Sequence, residues 1–229
     1  MERYTHRMSQ HLFDLIRHGK TAEIAEVVET QPSAAKSRDA QGISALMLAV
    51  YTQQPVIRDF LLNHLQDLDI FEAAAVGDCT RLRQLIAQDA TAVRAISPDG
   101  WTPLHLAAAF AGPEPVTVLL EHGAHVHQFS HNPMRNQPLH ACVALNSSLD
   151  VVRILLDCGA DINATQHGGY TPLLQAASGG HKDLVLLLLE SGARLDCVCD
   201  RGKSAVDYAR ERGHTEIAEI LTAHVASPA

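Results

Sequence analysis

The sequence predicts an all-α fold, a solenoid of about seven stacked helix-turn-helix units with short β-hairpin or loop fingers. One block of residues recurs at Pro98, Gly169 and Gly202, where it reads PDGWTPLHLAA, GYTPLLQAA and GKSAVDYAR. Equivalent apolar positions recur along the chain at Leu12, Leu46, Ile70, Leu104, Leu139, Leu173 and Val206. Five of the six gaps between them are 33 to 35 residues. Repeats of this length bury their apolar faces by stacking on their neighbours, which gives a solenoid.

The first half of each unit is predicted to be a turn followed by a short inner helix. Gly100 forms the turn at the tip of a finger, because glycine tolerates a positive φ. Thr102 caps the helix with its hydroxyl, and Pro103 occupies the first helical turn, where its missing N–H does no harm. Paired alanines follow at 107–108 and again at 176–177. Their small side chains let neighbouring inner helices approach closely.

The second half of each unit is predicted to be an outer helix with one apolar face. Each of these helices stops at a glycine, as expected for a left-handed C-terminal cap, at Gly123, Gly159 and Gly192. The repeated apolar residues are Val116, Val118, Leu119 and Leu120, then Val152, Ile154, Leu155 and Leu156, then Val185, Leu187, Leu188 and Leu189.

We expect one repeat domain over residues 9–225, with a flexible N-terminus at 1–8 and a C-terminal tail at 226–229. The gap between Leu46 and Ile70 is only 24 residues. It predicts that no full finger lies between the second and third units and that the solenoid turns or tightens there. The predicted units span residues 9–38, 39–66, 67–97, 98–130, 131–163, 164–197 and 198–225.

The period and the Thr-Pro-Leu-His core at 102–105 resemble ankyrin repeats, and the likeness covers residues 9–225. The blocks that begin at Asp69, Ser97 and Asn132 make the chain similar to the small standalone ankyrin proteins of bacteria. The resemblance implies a curved stack whose concave side consists of finger tips and inner helices. It also implies a non-catalytic protein–protein interaction module that acts as an adaptor or scaffold.

Some positions depart from the ankyrin pattern. Leu174 replaces the motif histidine, Gln137 stands where the capping threonine belongs, and Gln53 replaces the glycine between the two helices of its unit. We expect these changes to lower local stability without threatening the fold.

Composition narrows the classes of partner. The formal net charge is −8 and there is no cluster of Lys and Arg, which argues against a nucleic-acid surface. Five cysteines, an odd number, favour reduced thiols in the cytoplasm. No apolar segment is long enough for a signal core or a membrane span. We expect a cytoplasmic monomer with no cofactor, no small-molecule substrate and one partner protein that the sequence does not identify.

The candidate partner-binding residues occupy positions that the scaffold leaves free to vary. Aromatic residues supply large contact areas and dominate protein interfaces. We therefore predict a binding hot spot on consecutive units, and the alternative is that the rings merely pack on adjacent fingers and stiffen the stack. The candidates are Ile43, Trp101 and Tyr170 beside the turns, Tyr51, Phe110 and Leu145 after the alanines, and Met134 and Arg135 on the rim.

A second hypothesis is a metal- or redox-responsive protein. His122, His125, His127 and His131 lie close together in the sequence, and imidazoles can hold zinc. Their spacings match no known closed site, and alternate residues of a hairpin point to opposite faces. The pair Cys197 and Cys199 lacks a second pair. Solvated side chains are the simpler interpretation, so no metal ligand is assigned.

Overall fold

In the computed structural model, which describes residues 2–145 and 148–226, seven helix pairs follow one another along the chain. This confirms the predicted all-α solenoid. The inner helices are α1 (Glu2–Arg17), α3 (Ala45–Tyr51), α5 (Ile70–Val76), α7 (Pro103–Leu106), α9 (Pro138–Ala144), α11 (Pro172–Gly179) and α13 (Ala205–Glu211). The outer helices are α2 (Thr21–Thr30), α4 (Pro55–Asn63), α6 (Cys79–Gln88), α8 (Pro113–Glu121), α10 (Leu149–Asp157), α12 (Lys182–Glu190) and α14 (Thr215–Ala226).

Successive inner helices pack on one another and form one continuous core. The alanines at 107–108 and 176–177 are fully buried, as expected for residues that set a close helix approach. A turn of π-helix at Ala107–Ala111 continues α7. The predicted hydroxyl caps are present: Thr102 Oγ1 accepts from His105 N, and Thr171 Oγ1 accepts from Leu174 N.

Helices continue past both ends of the predicted repeat domain, 9–225. Helix α1 begins at Glu2, so its backbone is helical through most of the segment 1–8 that we expected to be flexible. At the other end α14 includes Ala226, and the rest of the predicted tail, 227–229, lies outside the described residues.

Five fingers project between the units in the described part of the chain. A finger is defined here by the backbone hydrogen bond that closes it, from the N–H of its first residue to the carbonyl of its last. The fingers are loops without β-strands in the described residues, apart from a single β-bridge between Arg38 and Ser44. They span residues 39–43, 97–101, 130–136, 166–170 and 199–203.

The last four fingers are joined to one another by backbone hydrogen bonds. His131 N donates to Gly100 O at 2.7 Å, and His167 N donates to Met134 O at 2.9 Å. Asp200 N then donates to the carbonyl of Gly168 at 3.0 Å. The fourth to seventh units are therefore tied together through their fingers as well as through their helices.

The junction between the second and third units has no finger, as the short gap predicts. Helix α5 begins directly at a capping box: Asp69 Oδ1 accepts from Glu72 N at 2.8 Å, and Glu72 Oε2 accepts from Asp69 N at 3.0 Å. As a result the finger at 39–43 lies against the finger at 97–101. A side chain added at Gly42 would meet Pro98 at 3.1 Å, and Tyr51 Oη donates to Asp99 Oδ2 at 2.7 Å.

Two buried histidines connect inner helices to the following finger. His105 Nδ1 lies 2.7 Å from Thr102 Oγ1 and accepts from Thr102 N, so Nε2 donates to Asn136 O at 3.0 Å. His140 Nε2 donates in the same way to the carbonyl of Ala164 at 3.0 Å and to the carbonyl of Tyr170, in the following finger, at 3.3 Å. Burial lowers the pKa of His105 to about 4 and also lowers the pKa of His140. Both imidazoles are neutral parts of the scaffold.

Gln53 provides a stability test, because its φ of 53° is unfavourable for a side chain. Gln53→Gly is expected to raise the free energy of unfolding by about 1 kcal/mol, since glycine adopts this conformation without strain. Urea denaturation measures the change. The matched control is Gln41→Gly in the first finger, another exposed glutamine but outside the positive-φ residues. There glycine only loosens the unfolded chain and lowers stability. Equal effects at both positions would contradict the role of φ.

Candidate binding surface

Two of the cavities on the surface of the described residues contain predicted contact residues. The first, about 360 Å³, lies where inner helices α3, α5 and α9 end, between the π-helical turn Ala107–Ala111 and the start of outer helix α4, and it includes Phe110 and Leu145. Leu145 is one of the exposed large apolar side chains of the described residues, and Phe110 is half-buried. The ring of Tyr51 packs on Phe110 with centroids 5.6 Å apart. Three of the predicted contact residues thus meet at one place.

The second cavity, about 740 Å³, lies between the last three fingers and the inner helices behind them. We call it the concave groove. Met134, which is 49% exposed, and the ring of Tyr170 both line it. Arg135 lies beside Met134 in the longest finger, where its guanidinium is stacked 5.8 Å from the ring centre of Phe129. Phe129 is exposed and was not singled out by the sequence.

Tyr170 is held by contacts within the stack as well as facing the groove. Its hydroxyl lies 2.6 Å from the hydroxyl of Tyr208 in the next unit, and the two ring centres are 5.4 Å apart. Tyr208 also lies 3.4 Å from Cys199 Sγ. The hydrogen bonds with Cys199 and Tyr170 raise the pKa of Tyr208, so it stays protonated. This ring has a structural contact and an accessible face.

Trp101 and Ile43 occupy equivalent places at the ends of their fingers, and both are half-buried. The indole of Trp101 packs edge-on against the His105 ring, with centroids 5.5 Å apart and an angle of 85°. Neither residue lines the two cavities, and Arg135 does not line them either. The predicted contact residues therefore form two clusters and a row of finger ends, rather than one patch.

Other groove residues were missed by the sequence reasoning. Gln166 and Gln175 place buried side-chain oxygens in the groove wall, and Arg201 and Arg212 line it as exposed cations. Arg212 belongs to the variable pair after an inner helix, which is the one signal that could have indicated it. The burial of Gln166 depends on packing between units, which the repeat period does not specify.

The residues of the metal hypothesis are dispersed. His122 Nδ1 lies 2.7 Å from Val118 O at the end of its own helix. Within the described residues no group of three His, Cys, Asp or Glu side chains could hold a metal ion. Cys199 is buried and Cys197 is half-buried. Burial raises the pKa of the Cys199 thiol, but its hydrogen bonds with Tyr208 and the backbone outweigh this and lower the pKa overall.

Across the part of the chain that the structure describes, every helix is too short or too polar to cross a lipid bilayer.

Comparison with known proteins yields a probable 26S proteasome regulatory subunit p28 of Saccharomyces cerevisiae, 28% identical over 202 residues, 82% of this chain and 87% of that protein. An ankyrin repeat, SAM and basic leucine zipper domain-containing protein 1 of Ornithorhynchus anatinus is 33% identical over 141 residues, 60% of this chain. The chain covers only 29% of that protein. These relatives are eukaryotic, and the likeness to bacterial proteins stays a prediction.

A family model described as ankyrin repeats (3 copies) matches residues 70–166 and 139–228. The two matches together span more than half of the chain, and they include the last four fingers and both buried histidines described above. The chain belongs to the ankyrin-repeat family.

Proposed function

We propose that this protein is a non-catalytic adaptor that binds one partner protein on the surface formed by its fingers and inner helices. The observation that supports this most directly is the accessible apolar surface there. Leu145 and Met134 are 36% and 49% exposed, each beside a half-buried aromatic ring in a cavity. Exposed apolar patches with polar rims are typical of interaction sites.

The contact residues we propose combine anchors and rim. Aromatic rings already fixed by neighbours lose little freedom on binding, which favours affinity. Tyr51 holds Phe110, and Tyr208 holds Tyr170, in this way. The full set is Trp101, Phe110, Tyr170, Leu145, Tyr51 and Ile43, with Met134 and Arg135 on the rim.

The setting we propose is a monomer in the cytoplasm. All five cysteines are free thiols, which suits a reducing compartment. The yeast relative is named as a regulatory subunit, that is, as one component of an assembly, and it has nearly the same extent as this chain. That similarity favours a role as an assembly component here too. No specific partner follows from it.

The test begins with capture of partners from an extract of the native cell, followed by titration of the purified partner against variants. Trp101→Ala/Tyr170→Ala and Leu145→Asp are expected to weaken binding at least about 30-fold, the effect typical of hot-spot residues. Val225→Asp is the matched control, because Val225 is an exposed apolar residue on the last outer helix and lines neither cavity.

Thermal melting of the same variants separates the two interpretations of the aromatic residues. If Trp101→Ala/Tyr170→Ala keeps the partner's Kd unchanged but lowers the melting temperature strongly, the rings serve only to stiffen the stack. An unchanged Kd for Leu145→Asp as well would reject this surface as the binding site.

A further inference from the structure

The first two units and the next two share one plan at a fixed distance along the chain. Helices α2 and α6 begin 58 residues apart, and so do α4 and α8. A 3₁₀ turn follows the outer helix at Pro32–Lys36 and again 58 residues later at Ala90–Arg94, and it follows no other outer helix in the described chain. No finger leads into α5. The third unit is therefore built as the start of a second array. We call α1–α4 the N-terminal array and α5–α14 the C-terminal array.

The junction between the two arrays lacks the bonds that join the later units. Within the C-terminal array each finger bonds to the next through a backbone N–H and a carbonyl. Among the backbone hydrogen bonds of the described residues, none joins the finger at 39–43 to the finger at 97–101. Helices α3 and α5 also contact each other less than any other two successive inner helices. The N-terminal array is thus attached by fewer contacts than the other units are.

Two side chains of the N-terminal array make the polar bonds across this junction. Arg38 lies 2.8 Å from Asp69 Oδ2 and 3.5 Å from Glu72 Oε1, at the start of α5. Tyr51, at the end of α3, donates its hydroxyl hydrogen to Asp99 Oδ2 at 2.7 Å. We call these bonds the latch. The side chains of Arg38 and Asp69 are 43% and 36% exposed, so water and salt reach their ion pair. Side-chain bonds of this kind can break without unfolding a helix.

The linker between α4 and α5 contains a point at which the arrays can rotate. Arg81 of α6 holds the second half of the linker, because its Nε donates to Leu68 O at 2.9 Å and its Nη2 lies 3.7 Å from Asp67 Oδ1. The backbone N–H groups of residues 64–65 bond back to α4. Gln66, which is exposed, lies between the two anchored parts. Hinges are typically a few loop residues of this kind.

The N-terminal array has apolar side chains of its own to keep it folded. Its helices span about 60 residues, a size at which many domains fold alone. In the structure the cores of the two arrays are continuous, so it shows the docked state. The large side chains that the N-terminal array buries are Leu12, Ile16, Ile24, Leu46, Ile57 and Leu61.

The cavity at Phe110 and Leu145 has walls from both arrays. Residues 53–55 and Arg58 belong to the N-terminal array, whereas Phe110 and Leu145 belong to the C-terminal array. Rotation of one array away from the other would separate these walls. A ligand that contacts both walls would therefore favour the docked state.

We propose that the N-terminal array undocks from the C-terminal array as one folded body, by bending at Gln66 once the latch breaks, and that undocking takes the cavity apart. Interfaces between domains of one chain allow relative motion unless they are large and apolar. Proteins open in cooperative units of this size. The docking equilibrium stands by itself. Its effect on binding rests on the proposed function, which places the partner at this cavity.

Single-molecule Förster transfer measures the docking equilibrium in the full chain. The two dyes are attached to Glu26→Cys, exposed on α2, and to the native Cys158, exposed at the end of α10, in a chain that also carries Cys197→Ser. We expect a main population and a minor one with different transfer. Arg38→Gln/Tyr51→Phe removes the latch and keeps the ring of residue 51. It should increase the minor population at least about tenfold, because hydrogen bonds to charged groups are among the stronger ones.

The matched control removes similar bonds inside the C-terminal array. Arg153→Gln/Tyr208→Phe breaks an ion pair within α10 and a hydroxyl bond between the last two units, and it should leave the populations unchanged. Salt gives a second readout, because it screens ion pairs that water reaches. Raising NaCl to about 0.5 M should increase the minor population of the unaltered chain, and should have no such effect in Arg38→Gln.

A single population that no variant and no salt concentration alters would overturn the proposal. Loss of the helical circular dichroism signal in Arg38→Gln/Tyr51→Phe would also overturn it, because both arrays should stay folded. Neither result bears on the proposed function, which is tested by a captured partner and the Trp101 and Leu145 variants. If the minor population rises while the partner's Kd is unchanged, the role of docking in binding is overturned.

Discussion

The free energy of unfolding is expected to fall by about 3 kcal/mol between pH 7 and pH 4 through His105 alone. Its pKa in the folded protein is about 4, because the imidazole is buried. In the unfolded chain the pKa is near 6.5. The unfolded state therefore binds a proton first as the pH falls, and proton uptake favours unfolding. The contribution of neutral His105 is complete above about pH 6.5 and is lost as the pH approaches 4.

His140 adds to the same loss, since burial lowers its pKa too. The carboxylates Asp89, Asp196 and Asp207 have pKa values lowered below the usual value for aspartate by hydrogen bonds. Their contribution is lost mainly below about pH 4, once the carboxylates of the unfolded chain take up protons, so it overlaps the window of the histidines only at its acid end. Acid sensitivity in the range from pH 6.5 to 4 should thus report these two buried imidazoles together with His181, whose pKa is also lowered by partial burial.

Urea denaturation at several pH values measures this dependence, with His105→Leu as the comparison. The sixth unit already has Leu174 at the equivalent position, fully buried, so the substitution fits the repeat. The variant should be less stable at pH 7, since it loses the bond to Asn136 O. The gap between variant and unaltered protein should shrink by about 3 kcal/mol at pH 4. A gap that is constant with pH would show that His105 titrates normally in the folded state.

The second large effect is expected for Gly100→Ala, which should lower the free energy of unfolding by about 3 kcal/mol. Gly100 has a φ of +87°, and a side chain in that conformation costs about 1–2 kcal/mol. A Cβ there would also lie 2.7 Å from the backbone N of Asn132 and from the carbonyl carbon of His131. These are backbone atoms of the adjoining finger, so relief requires the fingers to separate. Overpacking of this kind typically adds about 1–3 kcal/mol.

Gly159→Ala is the matched control, because Gly159 has a φ of +89° and nothing lies within 4 Å of its Cβ position. It should show the conformational strain alone. The difference between the two variants then isolates the clash between fingers, and it should appear in urea midpoints. Equal losses for the two glycines would mean that the fingers can move apart freely.

The sequence predicts the helical architecture well because the information is local. The period, the Thr-Pro start of the inner helix and the glycine after the outer helix each act within one unit. The missing finger before Asp69 is also predictable, since a shortened gap has no room for one. The contact that replaces the finger is not predictable, because the hydrogen bond from Tyr51 to Asp99 joins units that are not neighbours in the chain.

The candidate site is less predictable, because packing between units brings its residues together. The variable positions beside turns and alanines point to Tyr170 and Phe110, which are half-buried in the structure, and to Leu145, which is exposed; their part in binding stays a prediction. The sequence does not reveal that Tyr208 holds Tyr170, or that Gln166 is buried without a donor, because both depend on how one unit lies on the next. Which charged side chains line the groove also depends on how the units pack, so the sequence does not single out Arg201 and Arg212.

Because one junction between units has no finger, the number of helical layers and the number of fingers do not change together in this protein. In the described residues seven helical layers support five projecting loops, so the number of layers that maintain the core exceeds the number that a ligand can touch at the tips. A ligand lying across the tips would meet Ile43 and Trp101 as neighbours. It would find no finger of the third unit between them.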